Sequence, residues 1–270
     1  MIIRKLFFFI ALLTGLVSCQ KPLDNFNLSS PDGKLSVGIA LIDNKLNYQI
    51  DSGDIESIGI SELEIFPNAS VTILEAFEFE NDDSWNPVWG QQTNIRNNYK
   101  ELQLDIDIDG VSGKLLARAY NEGVAFRFVL DEGEKPAEAI FKCEYALADG
   151  SNYYTPAGES EPLGPVDFKG LTDYLSVPLV VESPNQSYMA LLESDLYAAN
   201  GIDPMQLDIT GTEGRILSGN KVELNEKEWT SPWRVILFGK SAGGLVVNTV
   251  PINLATPSKL ENTDWIKPGK

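Results

Sequence analysis

Carboxylates must carry whatever chemistry this chain performs, because it contains no histidine. That excludes a serine–histidine–aspartate relay and most zinc sites. Cys143 sits in the alternating run Ile140-Phe141-Lys142-Cys143-Glu144-Tyr145. Without an imidazole to deprotonate it, it reads as a buried, inert thiol and not as a nucleophile. Carboxylate catalysis, oxygen-ligated metals and binding remain. Glycoside hydrolysis by paired carboxylates needs two of them about 5–9 Å apart across a bound sugar. Glu159 with Glu161, and Asp82 with Asp83, are neighbours in sequence, but nothing around them marks a pocket. They read as acidic loop residues, and no catalytic residue is assigned.

Asp105-x-Asp107-x-Asp109-Gly110 matches the first half of an EF-hand loop, whose twelfth position needs a glutamate; Leu116 stands there. The alternation from Leu102 to Asp109 instead puts the three aspartates on one solvated strand face, with Asp109-Gly110 as a hairpin turn. Trp85-Asn86-Pro87-Val88-Trp89-Gly90 is followed by Asn94-Ile95-Arg96-Asn97-Asn98-Tyr99. Aromatic faces stack on pyranose C–H surfaces, while amides and a guanidinium bond hydroxyls. Residue type alone leaves two readings, sugar recognition and tryptophans that plug a sheet edge, and favours the second. Glu193 follows the apolar run Tyr188-Met189-Ala190-Leu191-Leu192. A charge there is either at the solvent end of a strand or held by a partner; the strand end is the simpler reading.

The elements that position these residues are strands. Leu35, Val37, Ile39 and Leu41 step by two, as do Leu46, Tyr48 and Ile50 after a turn at Asp43-Asn44. Leu102, Leu104, Ile106 and Ile108 repeat the pattern, and so do Val124, Phe126, Phe128 and Leu130. Half-buried antiparallel strands with short turns account for this. So many strands predict an all-β fold, a large antiparallel β-sandwich. No repeat of about 20–50 residues is visible, which argues against solenoids and propellers. Asn25 to Asp32 reads as a polar tether. Asn81 to Asn98 and Thr155 to Gly170 read as less strand-like, the second as a long loop.

The first residues carry a different message. Arg4 and Lys5 precede an apolar run from Leu6 to Leu13, as in a secretory signal. Leu16-Val17-Ser18-Cys19 looks like a bacterial lipoprotein box. Cys19 is therefore expected to carry a lipid, anchoring the protein to a membrane of the cell envelope. The run is too short for a membrane span of about 20 residues. A formal charge of −18 argues against nucleic acid, which demands a basic footprint. The Asn-x-Ser sites at Asn27, Asn68 and Asn185 are expected to be empty in such a protein.

Seven segments in order resemble the N-terminal domain of glycoside hydrolase family 97, which includes α-glucosidases of starch-utilisation systems and retaining α-galactosidases. They are Ser30-Pro31-Asp32-Gly33-Lys34, Trp85 to Gly90, Ile95 to Leu102, Arg118 to Arg127, Leu192-Glu193-Ser194-Asp195-Leu196, Pro232 to Ile236, and Asp264 to Lys270. The resemblance implies a galactose-mutarotase-like super-sandwich packed on a (β/α)8 barrel. The barrel carries the catalytic carboxylates and most ligands of a calcium ion. By the same resemblance Glu193 is a partial calcium ligand, and Arg96 and Asn97 lie towards the sugar pocket; Trp89 with its neighbours would be the platform of a free-standing sugar-binding protein. The implied organisation is a signal over 1–18, a tether over 19–30, the sandwich over 31–260, and a linker over 261–270 leading to a barrel. A barrel needs about 250 residues, for which this sequence has no room beside the sandwich. Three accounts stand: a domain that works with a barrel supplied elsewhere, a free-standing sugar-binding lipoprotein, and an inactive remnant. The first expects an exposed apolar face that includes Trp265.

Overall fold

The computed structural model describes residues 26–53, 58–198, 204–212 and 214–267. The expected signal, Cys19 and most of the tether lie outside the described residues, as do 268–270. Among the described residues the strands form two sheets, of seven and ten strands, and every pairing is antiparallel. The smaller sheet runs β1 (Phe26–Ser29), β2 (Leu35–Ile42), β3 (Lys45–Ser52), β4 (Ile58–Glu64), β9 (Glu138–Ala146), β15 (Arg215–Glu223), β14 (Gln206–Ile209). The larger runs β11 (Ser160–Val166), β10 (Asn152–Ala157), β12 (Leu179–Glu182), β13 (Tyr188–Ser194), β17 (Trp233–Gly239), β8 (Gly123–Leu130), β7 (Val111–Tyr120), β6 (Ile95–Ile108), β5 (Val71–Trp85). A short β16 (Trp229–Thr230) pairs with β8.

The alternating residues do what their spacing predicts. Val37, Ile39, Leu46, Tyr48 and Ile50 from one sheet meet Leu104, Ile106, Phe126 and Phe128 from the other in one buried core. Asp43-Asn44 and Asp109-Gly110 both take positive φ between directly paired residues, the geometry of a two-residue hairpin turn. Asp105 and Asp107 lie on the solvated side of β6, and Asp107 accepts the Gly110 N–H; the calcium-loop reading has no support here. Cys143 is fully buried, and burial pushes its thiol up to about 11, which leaves it inert.

Three expectations are corrected. Phe26–Ser29, inside the expected tether, is a strand paired with β2. Thr155 to Gly170 is mostly an edge hairpin, β10 with β11, followed by one 3-10 turn. Its prolines hid it, and prolines are tolerated where a strand has a free edge. Asn81 to Asn98 is not mainly a loop either. β5 and β6 pair continuously to Trp85↔Ile95, leaving only residues 86–94 as a connection. β5 ends the sheet, and most of it is exposed, so no alternation marks it.

The outer face of the larger sheet holds a second apolar cluster. Trp233, Val235 and Leu237 of β17 face outward under two short helices, α1 (Ala242–Val246) and α2 (Val250–Leu254). Both faces of β17 are thus covered, and all seven of its residues are buried.

Candidate functional site

The β5–β6 hairpin reaches the site from one side. Near its tip, Asp82 on β5 accepts two hydrogen bonds from Arg96 on β6, each 2.7 Å. The guanidinium holds the Asp82 carboxyl below its usual range. Asn81 Nδ2 donates to Asn97 O, and Asn94 Nδ2 donates to Asn86 Oδ1 across the connection. These polar ties replace the apolar packing that a solvated hairpin lacks.

The second wall is the α1–α2 segment. Val250 and Leu254 are buried on the sheet, and Ser194 Oγ donates to Pro251 O at 2.6 Å. Asp195, at positive φ, accepts from Thr256 N–H, Thr256 Oγ1 and Arg127 Nη2, which pins the chain after α2. Asn253 bridges the walls. Its Oδ1 accepts from Trp85 Nε1 at 2.8 Å, and its Nδ2 donates to Arg96 O at 2.9 Å.

Between the walls lies an open groove of about 430 Å³. Gln92, Asn94, Arg96 and Asn98 line it from the hairpin, Asn121 and the carboxylate Glu122 from the β7–β8 turn, and Asn248 from the α1–α2 connection. Amides both donate and accept, so this lining can answer the hydroxyls of a neutral sugar. Of the residues expected from sequence, Arg96 lines the groove. Asn97 stands behind it, accepting from Tyr120 Oη at 3.3 Å. Trp89 is 68% exposed in the same connection as Gln92 and Asn94, but does not line the groove. Asn121 and Asn248 come from turns and Asn253 from α2, all remote in sequence from the hairpin.

Glu193 is elsewhere. It faces the inter-sheet core from β13, opposite Arg234 of β17, whereas the groove is on the outer side. Its Oε1 accepts the Met205 N–H at 2.7 Å, and its Oε2 accepts from Arg234 Nη1 at 3.1 Å. Arg234 also donates to Phe141 O, and its guanidinium lies 4.5 Å from the Phe141 ring. Burial pushes the Glu193 carboxyl up, while the Met205 N–H and Arg234 pull it down. The charge is held by a partner; it is not a solvent-facing strand end. Among the described residues no group of three or more His, Cys, Asp or Glu side chains is placed to hold a metal ion.

Beside the groove, the outer face carries a stack of cations and rings. Arg118 lies 4.3 Å from the Tyr99 ring and 4.8 Å from Trp233, and Arg127 lies 4.5 Å from Trp233. Further along, Val246, Val247, Ile252, Leu260 and Trp265 are all exposed, Trp265 to 69%.

Comparisons place this architecture. A retaining α-galactosidase of Bacteroides thetaiotaomicron is 25% identical over 99% of this chain, which spans 46% of that relative's length. A glycoside hydrolase family 97 enzyme of Pseudoalteromonas sp. strain K8, solved with panose, superposes with a TM-score of 0.72 at 19% identity. That match covers 90% of this chain and 40% of the enzyme. A β-arabinopyranosidase also superposes at 0.72, with 16% identity, 86% of this chain and 43% of the other. The family model for the glycosyl-hydrolase 97 N-terminal domain matches residues 28–257, and the chain belongs to that family.

Proposed function

We propose that this chain is the non-catalytic, active-site-completing N-terminal domain of an α-glycosidase, and that its groove binds a neutral carbohydrate. The observation that carries the reading is the amide-lined groove of about 430 Å³ beside Arg96. With Asp82 compensating Arg96, little positive charge is left there to favour an anionic ligand. The relatives' glycosidase activities support a sugar as the ligand. The exposed Val246, Val247, Ile252 and Trp265 favour docking to a (β/α)8 barrel over a free-standing module. Hydrolysis and its carboxylates belong to that barrel. Anchoring to the envelope membrane through Cys19 is part of the same reading.

Calcium enters only with the barrel. The ion takes about six to eight oxygens. Glu193 offers two, both already bonded, so the other ligands would come from the barrel. Calorimetry of the purified chain with maltotriose and with an α-galactoside, with and without calcium, tests both statements. We expect weak sugar binding, on the order of millimolar or about 4 kcal/mol, lost in Arg96→Ala. We expect calcium alone to bind no tighter than about 1 mM. Absence of heat with either sugar, or sugar binding indifferent to Arg96→Ala, would overturn the groove assignment. Tight calcium binding by the chain alone would overturn the second statement.

A further inference from the structure

We infer that Asn253 is a positioning residue that fixes the width of the groove by clamping the hairpin tip to α2. This rests on the reading of the groove as a sugar site, although the clamp itself is a matter of geometry. The two walls differ in how firmly they are held. α2 is fixed to the sheet by buried Val250 and Leu254, by Ser194 Oγ to Pro251 O, and by the Asp195–Thr256 bonds just beyond it. The hairpin tip is a projection. From Glu75 to Trp85, β5 is exposed but for a half-covered Asn81, and Arg96–Asp82, Asn81–Asn97 and Asn94–Asn86 tie the hairpin only to itself. Such ties stiffen a lever without stopping it from swinging. Ile95 is buried and roots β6 at the tip.

Tyr120 Oη of β7 donates to Asn97 Oδ1 and holds β6 alone to the sheet, whereas Asn253 reaches both strands. One side chain takes a bond from each strand of the lever: Trp85 Nε1 of β5 donates to its Oδ1, and its Nδ2 donates to the Arg96 carbonyl of β6. An amide is required, since only an amide presents an acceptor and a donor side by side. The Arg96 backbone that it holds carries the guanidinium that lines the groove. The connection beyond carries Gln92, Asn94 and exposed Trp89. Holding the tip in place before the ligand arrives removes an ordering cost from binding, which is how preorganisation raises affinity.

The test reads the apo protein and the ligand separately. Amide hydrogen exchange is followed in the unliganded chain, and maltotriose affinity is measured by calorimetry, for wild type, Asn253→Ala and Asn253→Asp. We expect Asn253→Ala to speed exchange over residues 81–97 while the rest of the sheet is unchanged, and to weaken maltotriose binding about tenfold. Asn253→Asp keeps the acceptor for Trp85 and loses the donor to Arg96 O, so it should fall between. If wild type binds maltotriose while both variants match it in exchange and affinity, the clamp is wrong. Faster exchange spread over the whole domain in both variants would also overturn it, since Asn253 would then support the fold at large. If wild type binds no sugar, yet Asn253→Ala loosens residues 81–97, the sugar reading fails and the clamp stands.

Discussion

Glu193→Ala destabilises the domain by about 3–5 kcal/mol, the cost of leaving one member of a buried ion pair without its partner. Arg234 is fully buried between the sheets, where it pairs with Glu193, donates to the Phe141 carbonyl and lies against the Phe141 ring. The Met205 N–H loses its acceptor as well. Glu193→Gln keeps an acceptor for that N–H and should cost less. The double replacement Glu193→Leu with Arg234→Met should recover most of the loss, because apolar groups of similar volume often substitute for a buried pair without penalty. Urea midpoints at constant slope decide the matter. A loss below about 1 kcal/mol for the alanine variant would mean that Arg234 is compensated by groups other than Glu193. The measurement needs no calcium, so it separates the structural role of Glu193 from any role as a ligand.

Trp233→Ala should cost a similar amount, about 3–5 kcal/mol, for a different reason. The indole is buried at the centre of the outer cluster, with a guanidinium stacked on it from each of two strands. Removing it opens a cavity and withdraws the ring that lies between Arg118 and Arg127. Each arginine keeps its carboxylate, Glu101 and Asp195 respectively, so neither charge is stranded. The Trp233 indole N–H is buried and has no hydrogen-bond partner among the described residues. Trp233→Phe therefore gives up no hydrogen bond and should retain more than half of the stability lost in the alanine variant. If phenylalanine proves as damaging as alanine, the stacking account fails and shape alone holds the cluster.

The sandwich was legible because a strand with one face on the core alternates with a period of two, as Leu35, Val37 and Ile39 or Val124, Phe126, Phe128 and Leu130 do. Asp43-Asn44 and Asp109-Gly110 were legible because few residue pairs accept two positive φ values in succession. The β5–β6 projection was not, because a strand wetted on both sides is under no pressure to alternate. Glu193 was misplaced for the opposite reason. The register that sets it against Arg234 is a long-range pairing of β13 with β17, and no local pattern reveals it. The groove was half visible. Arg96 belongs to a run rich in amides and aromatics, whereas Asn121, Asn248 and Asn253 converge on it only after the sheet has formed.

Among the described residues β5, fifteen residues long, ends the larger sheet with no strand paired beyond it. A free strand of that length is a template on which a second copy could add and begin a chain of aggregation. This one carries Glu75, Glu78, Glu80, Asp82 and Asp83. Two such edges brought together would set rows of negative charge against each other at strand spacing, where like charges repel most. Lys100 and Arg96 offset part of that charge from within the same molecule. The protection is electrostatic and long in reach, so strong salt or acid weakens it. The acidity of this edge thus serves colloidal stability.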